Sequence, residues 1–181
     1  MRLSSLAIAG ALCAGVFVSA AAVEQPAGYR MSDYDAPVPA EAPGAITVSD
    51  ETVYALLRTQ RVAIIDVMPD IPRPKGLPEG TLWKGRTRIS IPDAIWWPDA
   101  GFGELSAEVE ARFKAGLADV TGGDKAAPIL FLCRADCWMS WNASKRAATY
   151  GYETIFWYAD GSTGWSFWDW PTEILKRADG L

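Results

Sequence analysis

The amino-acid sequence predicts an α/β domain in which helices flank a parallel central sheet, with a proline-rich segment before it. Two short apolar runs, at 62–67 and 129–132, have the continuous apolar character of strands that are buried on both faces. Helical patterns lie between and after them, and strands that alternate with helices favour a parallel sheet with right-handed crossovers. The length of 181 residues suits one such domain and a short additional segment.

The first half of the domain is predicted to contain one helix and two strands. Asp50 is the predicted N-cap of a helix over 51–58. The apolar run at 62–67 predicts the first buried strand, after which four prolines predict a long irregular loop. A short strand near 87–91 precedes a second loop, which holds the tryptophan pair at 96–97. The four prolines are Pro69, Pro72, Pro74 and Pro78.

The second half is predicted to alternate helices with strands. Ser106 begins a helix whose apolar side chains recur at helical spacing over 108–120, and the glycines at 122–123 end it. The remaining predicted elements are a strand at 129–132 that leads into Cys133, a helix over 140–150, a strand over 154–158 and a short last helix over 174–177.

The first 22 residues have the three parts of a secretory signal peptide. Arg2 supplies a positive charge, residues 6–18 are all apolar or glycine, and small residues at 19–22 fit a signal peptidase. We therefore predict cleavage after Ala20 or Ala22 and a mature protein in the bacterial periplasm without membrane attachment. An uncleaved anchor is the alternative, although the apolar run is short for a membrane span. The predicted division is a signal peptide at 1–22, an extended proline- and alanine-rich segment at 23–44 and the α/β domain at 45–181.

The composition excludes several classes of chemistry. The chain has no histidine, which removes histidine general bases, histidine-ligated metals and serine–histidine–aspartate triads. Its formal net charge is −5 and it has no basic run, so nucleic acid is not an expected partner. Nine tryptophans are more than routine core filling needs. We interpret them mainly as packing and as cover for the proline-rich loops, with a protein-docking face or stacking on a flat ligand such as a quinone as alternatives.

Two cysteines remain after the predicted cleavage, and their position indicates thiol chemistry. Cys133 directly follows a buried strand, at the edge where parallel sheets bind ligands. Loop amides, the following helix and Arg134 should hold it as an accessible thiolate, whereas Asp136 should oppose this. Cys137 lies four positions later and can form a disulfide with Cys133 if the intervening loop is not helical, or as a strained bond.

We therefore predict that Cys133 is the attacking sulfur and Cys137 the resolving thiol of a redox-active pair. An oxidising periplasm allows such a disulfide. Two alternatives remain, a structural surface disulfide and a single inert buried cysteine. A metal site is not expected, because two thiolates without histidine need further ligands and the sequence arranges none nearby.

Sequence landmarks over residues 45–177 resemble those of rhodanese-like domains, in the same order. More narrowly, the segment 133–147, with Gly28-Tyr29-Arg30 upstream, is similar to the exported CxxxCW-motif proteins associated with PQQ-dependent catabolism. The landmarks are Ile64-Ile65-Asp66-Val67, Ile91-Pro92-Asp93-Ala94, a strand ending in Cys133, Gly151-Tyr152, Asp160-Gly161 and Trp165; the narrower motif comprises Cys133 to Trp138, Met139-Ser140-Trp141-Asn142-Ala143 and Lys145-Arg146-Ala147.

The resemblance implies that Cys133 occupies the position of the persulfide-carrying cysteine of rhodaneses. Trp138 stands where thiosulfate-using rhodaneses commonly have a basic residue, and Asp93 replaces the glycine that usually follows Ile-Pro. An altered anion pocket and little thiosulfate turnover are therefore expected. Arg134, Asp136 and Trp138 are the predicted substrate-binding residues, with Trp138 shaping the pocket.

The implied function is sulfane-sulfur transfer or thiol–disulfide exchange at Cys133 and Cys137, as an accessory to periplasmic PQQ-dependent alcohol oxidation. No covalently bound cofactor is expected; PQQ is a functional link, and a PQQ-dependent dehydrogenase is the expected protein partner. The alternative is a non-enzymatic module that binds a quinoprotein dehydrogenase or its cofactor through the tryptophan-rich face, with the cysteine pair as a structural disulfide.

Overall fold

The computed structural model describes residues 22–71 and 73–178, and a five-stranded parallel sheet lies at its centre. The strands are ordered β1-β6-β5-β2-β4 and helices flank the sheet, which confirms the predicted fold class. The predicted signal peptide lies outside the described residues apart from Ala22. Within those residues, none of the helices combines the length and the apolar character needed to cross a membrane. The elements are β1 (Ile46–Thr47), α1 (Asp50–Thr59), β2 (Ala63–Asp66), β3 (Arg88–Ser90), β4 (Ile95–Trp96), α2 (Ala107–Thr121), β5 (Ile129–Leu132), α3 (Trp138–Thr149), β6 (Ile155–Tyr158), α4 (Gly161–Phe167) and β7 (Glu173–Leu175).

The parallel register brings the ends of three central strands to one level. Asp66 of β2 pairs with Leu132 of β5, which in turn pairs with Tyr158 of β6. The N–H of Val67 then donates to the Leu132 carbonyl over 2.9 Å. Because the loops after parallel strands share one edge of the sheet, the segment after β2 meets Cys133 there.

The hydrophobic core occupies both faces of the sheet, since alternate residues of a strand point to opposite faces. Ile129 and Phe131 belong to a buried cluster that includes residues of α2 and α3. Leu130 and Leu132 belong to a second cluster that includes Val53 of α1. The continuous apolar run of β5 is thus explained by burial on both sides.

Most of the tryptophans are packing residues, as the sequence predicts. Trp138, Trp141 and Trp157 form a buried cluster with Ala42. Trp83 and Trp168 are exposed, and Trp170 is half-buried. The six buried tryptophans are Trp96, Trp97, Trp138, Trp141, Trp157 and Trp165.

Helix α1 begins one residue earlier than predicted, because Ser49 rather than Asp50 is its N-cap. The Ser49 hydroxyl oxygen accepts the N–H of Thr52 over 3.4 Å. Asp50 lies in the first turn, where its carboxylate accepts the hydroxyl of Tyr158 over 2.6 Å and the indole N–H of Trp168 over 2.7 Å. Those two donors lie far along the chain, so the local sequence does not reveal them.

Two segments form strands where the sequence predicts otherwise. The predicted helix over 174–177 is wrong, because Glu173–Leu175 is β7 and pairs antiparallel with β3 in a separate two-stranded sheet. The tryptophan pair at 96–97 does not lie wholly in a loop, because Ile95–Trp96 is β4, the edge strand beside β2. Strands of two or three residues form only when their partner is present, and each partner here is distant in sequence.

Two helices also differ from the predicted ones. Helix α3 begins at Trp138, two residues before the predicted start, because Cys137 adopts the extended conformation of an N-cap. Helix α4 was not predicted, since its two glycines, Gly161 and Gly164, lower helix propensity.

All of segment 23–44, called the strap below, lies within the described residues and contains neither helix nor strand. It crosses α3 and is hydrogen-bonded to it. The N–H of Arg30 donates to Oδ1 of Asn142, and Nδ2 of Asn142 donates to the Arg30 carbonyl, both over 2.9 Å. The indole N–H of Trp141 donates to the Glu41 carbonyl over 3.0 Å. The strap therefore covers the helix that follows the cysteine pair.

Candidate functional site

Strand β5 ends directly before Cys133, whose carbonyl is held by two neighbouring donors. Nη2 of Arg88 donates to this carbonyl over 2.7 Å and the N–H of Ser162 donates over 3.1 Å. Gly161 makes the close approach possible, since its φ is +52° and a Cβ there would lie 2.7 Å from the same oxygen. The Cys133 side chain is completely buried, with 0% exposure, so the accessible thiol that the sequence predicts is not found in this state.

The segment from Cys133 to Cys137 is a loop closed by a disulfide bond between the two cysteines. Their Cα atoms are 6.2 Å apart. Asp136 has a φ of +52°, in the left-handed region, and Cys137 is the extended N-cap of α3. The non-helical loop that a disulfide at this spacing favours is therefore confirmed.

A cavity of about 220 Å³ opens beside the disulfide, and Cys137 lines it whereas Cys133 does not. Cys137 retains 5% exposure. As the N-cap residue of a 12-residue helix, it lies where the partial positive charge of the helix favours a thiolate. The lining residues are Tyr34, Asp35, Met68, Pro69, Arg86, Arg134, Cys137 and Met139.

Two arginines give the cavity wall positive charge. Arg134 forms an ion pair with Asp35 of the strap, which neutralises part of that charge. Arg86 lines the cavity as well and is exposed. The site therefore favours an incoming thiolate or a small anion.

Of the three predicted substrate-binding residues, only Arg134 lines the cavity. Asp136 is exposed, and its carbonyl accepts the N–H of Ala36 over 3.0 Å. Trp138 is buried, and its indole N–H donates to the Pro37 carbonyl over 3.1 Å. The expected pocket-shaping role of Trp138 therefore does not match its position, because the side chain anchors the strap instead.

Met68 and Met139, which are not among the predicted site residues, contribute to the cavity wall. Sδ of Met68 lies 3.4 Å from Sγ of Cys133. A signal for Met68 was available, because residues that follow two paired parallel strands meet at one edge of the sheet. Tyr34 and Asp35 could not be found in this way, because the path of the strap over the domain depends on contacts with remote residues.

A buried ion pair lies next to the loop. Nε of Arg88 donates to Oδ2 of Asp66 over 2.8 Å, and the Ser90 hydroxyl donates to the same oxygen over 2.5 Å. Oδ1 of Asp66 accepts the N–H of Met68 over 2.9 Å. Burial raises the pKa of the Asp66 carboxyl above its ordinary value, despite the opposing charge of Arg88. This network fixes the backbone of Met68 and, through Arg88, the carbonyl of Cys133.

No protein-family model and no curated protein sequence matches the chain. Several solved structures resemble it, among them two sulfurtransferases. The solution structure of the 30 kDa polysulfide-sulfur transferase homodimer from Wolinella succinogenes has a TM-score of 0.46 and 19% identity, over 72% of this chain and 79% of that one. The crystal structure of thiosulfate sulfurtransferase from Pseudomonas aeruginosa has a TM-score of 0.50 and 17% identity, over 74% of this chain and 21% of that one.

The likeness to the Pseudomonas protein shows the fold, which is rhodanese-like as the sequence predicts. The present chain spans about a fifth of the length of that sulfurtransferase. In the present chain, a disulfide lies at the sheet edge and a cavity opens beside it.

Proposed function

We propose that the protein carries out thiol–disulfide exchange through Cys133 and Cys137. The observation that carries this proposal is the placement of the pair: the disulfide closes a non-helical loop, and its Cys137 end lines an open cavity. A disulfide that served only as a cross-link would gain nothing from such an opening. The loop that it closes is also short, so its entropic contribution to stability is only about 2 kcal/mol.

In the proposed reaction, a thiolate of the partner attacks Sγ of Cys137. A bond forms between the partner sulfur and Cys137, the Cys133–Cys137 bond breaks, and Cys133 leaves as a thiolate that takes up a proton. A second partner thiolate then attacks the partner sulfur of this mixed disulfide and releases Cys137. Two electrons pass from the partner to the pair, and the partner gains a disulfide.

This proposal exchanges the roles that the sequence predicts for the two cysteines. Cys133 is completely buried, whereas Cys137 lines the cavity and lies at the N-terminus of α3. Since thiol exchange requires access to the attacked sulfur, Cys137 forms the mixed disulfide and Cys133 is the leaving thiolate; in the reverse direction, Cys137 attacks a partner disulfide and Cys133 resolves the adduct.

Single serine variants test this assignment. Cys133→Ser leaves Cys137 facing the cavity, and we expect it to form a mixed disulfide rapidly when oxidised glutathione is added. Cys137→Ser leaves only the buried Cys133, and we expect its adduct to form much more slowly. Mass spectrometry over time measures both rates. A faster reaction of Cys137→Ser would restore Cys133 as the nucleophile, and the absence of adducts on both variants would contradict exchange.

Sulfane-sulfur transfer is a second candidate, favoured by the two arginines on the cavity wall. Here the thiolate of reduced Cys137 attacks the outer sulfur of thiosulfate, sulfite leaves, and Cys137 carries a persulfide. We expect little turnover in a thiosulfate:cyanide assay, since Arg134 is already paired with Asp35. Trp138→Arg should not raise this turnover, because the side chain at 138 does not line the cavity. Strong wild-type turnover would favour this candidate over exchange.

We further propose that the protein acts in the periplasm as an accessory to PQQ-dependent alcohol oxidation, with a quinoprotein dehydrogenase as its partner. The resemblance of the segment 133–147 to the CxxxCW-motif proteins supports this setting. N-terminal sequencing of the exported protein should give Ala21 or Val23, whereas an intact Met1 in a membrane fraction would contradict export with cleavage. Proteins trapped as mixed disulfides on the Cys133→Ser variant should include the dehydrogenase.

A non-enzymatic docking role also has an observation in its favour. Phe167 and Trp168 are exposed next to one another, and the Trp168 ring lies over that of Trp170 with 6.0 Å between centroids. If docking is the function, Trp168→Ala should abolish co-purification of the dehydrogenase, while a Cys133→Ser, Cys137→Ser double variant should retain it. The opposite pattern would favour exchange at the cysteine pair.

A further inference from the structure

We propose that, once the disulfide is reduced, Cys133, Cys137 and Met68 form a binding site for a Cu(I) ion. The two cysteine sulfurs are bonded to each other, and Sδ of Met68 lies 3.4 Å from Sγ of Cys133. Sulfur atoms from two segments of the chain, the loop after β2 and the disulfide loop after β5, therefore lie next to one another. The sequence alone did not predict a metal site, because it showed only two of these ligands.

The distances suit a metal ion bound by three sulfurs. Metal–thiolate bonds are about 2.3 Å long, so three ligands in one plane around an ion lie about 4 Å apart. The Met68–Cys133 separation is slightly shorter than this, and a small outward movement would admit the ion. Reduction of the disulfide allows the two cysteine sulfurs to separate to the same distance.

The fold already holds two of the proposed ligands in place. The N–H of Met68 donates to Asp66 over 2.9 Å, and the Met68 carbonyl accepts the indole N–H of Trp96 over 2.6 Å. The Cys133 carbonyl is held by Arg88 over 2.7 Å. Since the backbone on each side is fixed before the ion arrives, little ordering is needed on binding.

The ligand set favours a soft metal ion, and its thioether sulfur suits Cu(I). Thiolate and thioether sulfurs prefer Cu(I), whereas carboxylates and carbonyls prefer hard divalent ions. The chain has no histidine, and among residues 22–71 and 73–178 no three or more cysteine, aspartate or glutamate residues are grouped as metal ligands. Two thiolates and one Cu(I) carry one net negative charge, which Arg86 on the cavity wall can balance.

The ion would enter through the cavity, because Met68 and Cys137 both line it. Binding requires a thiol reductant that supplies two electrons to the disulfide, and the two thiols then release their protons to solvent as Cu(I) binds. The oxidation state of copper does not change. The inference rests on the proposed function in one respect, namely that the pair is reducible in the folded protein.

Competition for Cu(I) tests the site. The purified protein is reduced with dithiothreitol, freed of it without oxygen, and titrated with Cu(I) in the presence of the chelator bathocuproine disulfonate. We expect the wild type to withhold one equivalent of Cu(I) from the chelator. Met68→Leu should weaken binding by about tenfold or more, since changes around metal sites cost about 10–100-fold in affinity. Met31→Leu is the matched control and should bind as the wild type does, because Met31 is exposed on the strap.

X-ray absorption at the copper edge provides a second measurement that does not depend on the stability of the variant. We expect three sulfur ligands in the wild type and two in Met68→Leu. Equal affinity and equal sulfur count in the two proteins would overturn the role of Met68. If the reduced protein has two free thiols but withholds no copper from the chelator, the copper site is overturned and the exchange reaction is not. If the disulfide resists reduction in the folded protein, both the copper site and the exchange reaction are overturned.

Discussion

Arg88 connects three parts of the site through one buried guanidinium. It pairs with Asp66 and donates to the Cys133 carbonyl and to the Ser162 hydroxyl. Replacing it with leucine would leave the Asp66 carboxylate buried without its cation, and removing one partner of a buried pair costs about 3–5 kcal/mol. We expect urea denaturation of Arg88→Leu to show a loss of this size in the free energy of unfolding.

The matched control for this prediction is Arg86→Leu. Arg86 is an exposed arginine in the same stretch of chain, and its replacement should change the free energy of unfolding by no more than about 0.5 kcal/mol. Adding Asp66→Asn to Arg88→Leu should recover part of the loss, because the double variant leaves no buried charge and the amide oxygen can still accept a hydrogen bond from Met68 or Ser90. If Arg88→Leu alone is as stable as the wild type, the ion pair does not support the loop.

At the same scale, the sequence predicted the position of the cysteine pair better than its surroundings. The place of Cys133 and Cys137 at the sheet edge is predictable because a buried strand that leads into a cysteine marks the edge of a parallel sheet. The sequence does not predict which of the two cysteines lines the cavity, because the burial of Cys133 depends on packing by several segments that are distant in sequence. The bond from the Trp138 indole N–H to the strap is unpredictable for a related reason, because its acceptor lies far away in the sequence.

Among the elements, those with a strong local signal were predictable and those that need a remote partner were not. Strand β5 is apolar throughout because both faces are buried, and α2 has its N-cap Ser106 and its C-cap Gly122 in the sequence itself. Strand β7 has only three residues and is stabilised by pairing with β3. No local pattern distinguishes such a segment from a helix end.

Asn142 is one of several residues of α3 that bond to the strap, together with Trp138, Trp141 and Lys145. The Asn142 side chain exchanges two hydrogen bonds with the backbone of Arg30 and donates a third to the Gly101 carbonyl over 3.0 Å. Asn142→Ala removes all three, and each buried polar group left without a partner costs about 1–3 kcal/mol. We expect trypsin to cleave after Arg30 faster in this variant, because cleavage requires the strap to detach locally.

Thr149→Ala is the control for the strap prediction. Thr149 also lies on α3, but its contact with the strap is an exposed 3.5 Å approach to the Tyr29 hydroxyl. We expect trypsin to cleave the Thr149→Ala variant after Arg30 at the same rate as the wild type. Equal rates for Asn142→Ala and the wild type would show that other contacts hold the strap.

In the whole molecule, the strap, the cavity and the sheet edge meet at the disulfide loop. The N–H of Trp138 donates to the Tyr34 carbonyl over 2.9 Å, and the N–H of Ala36 donates to the Asp136 carbonyl over 3.0 Å. The backbone on both sides of Cys137 is thus bonded to the strap. Most of the connections that hold this loop are therefore independent of the disulfide bond.

A Cys133→Ser, Cys137→Ser double variant tests this independence in the whole protein. Because the disulfide closes a loop of only a few residues, we expect its loss to lower the free energy of unfolding by about 2 kcal/mol or less. Urea denaturation of the double variant and of the reduced wild type should agree, since both lack the bond. A much larger loss, or unfolding on reduction, would mean that the pair is structural. The non-enzymatic docking role would then explain the protein better than thiol–disulfide exchange, because a protein that unfolds when reduced cannot cycle between dithiol and disulfide.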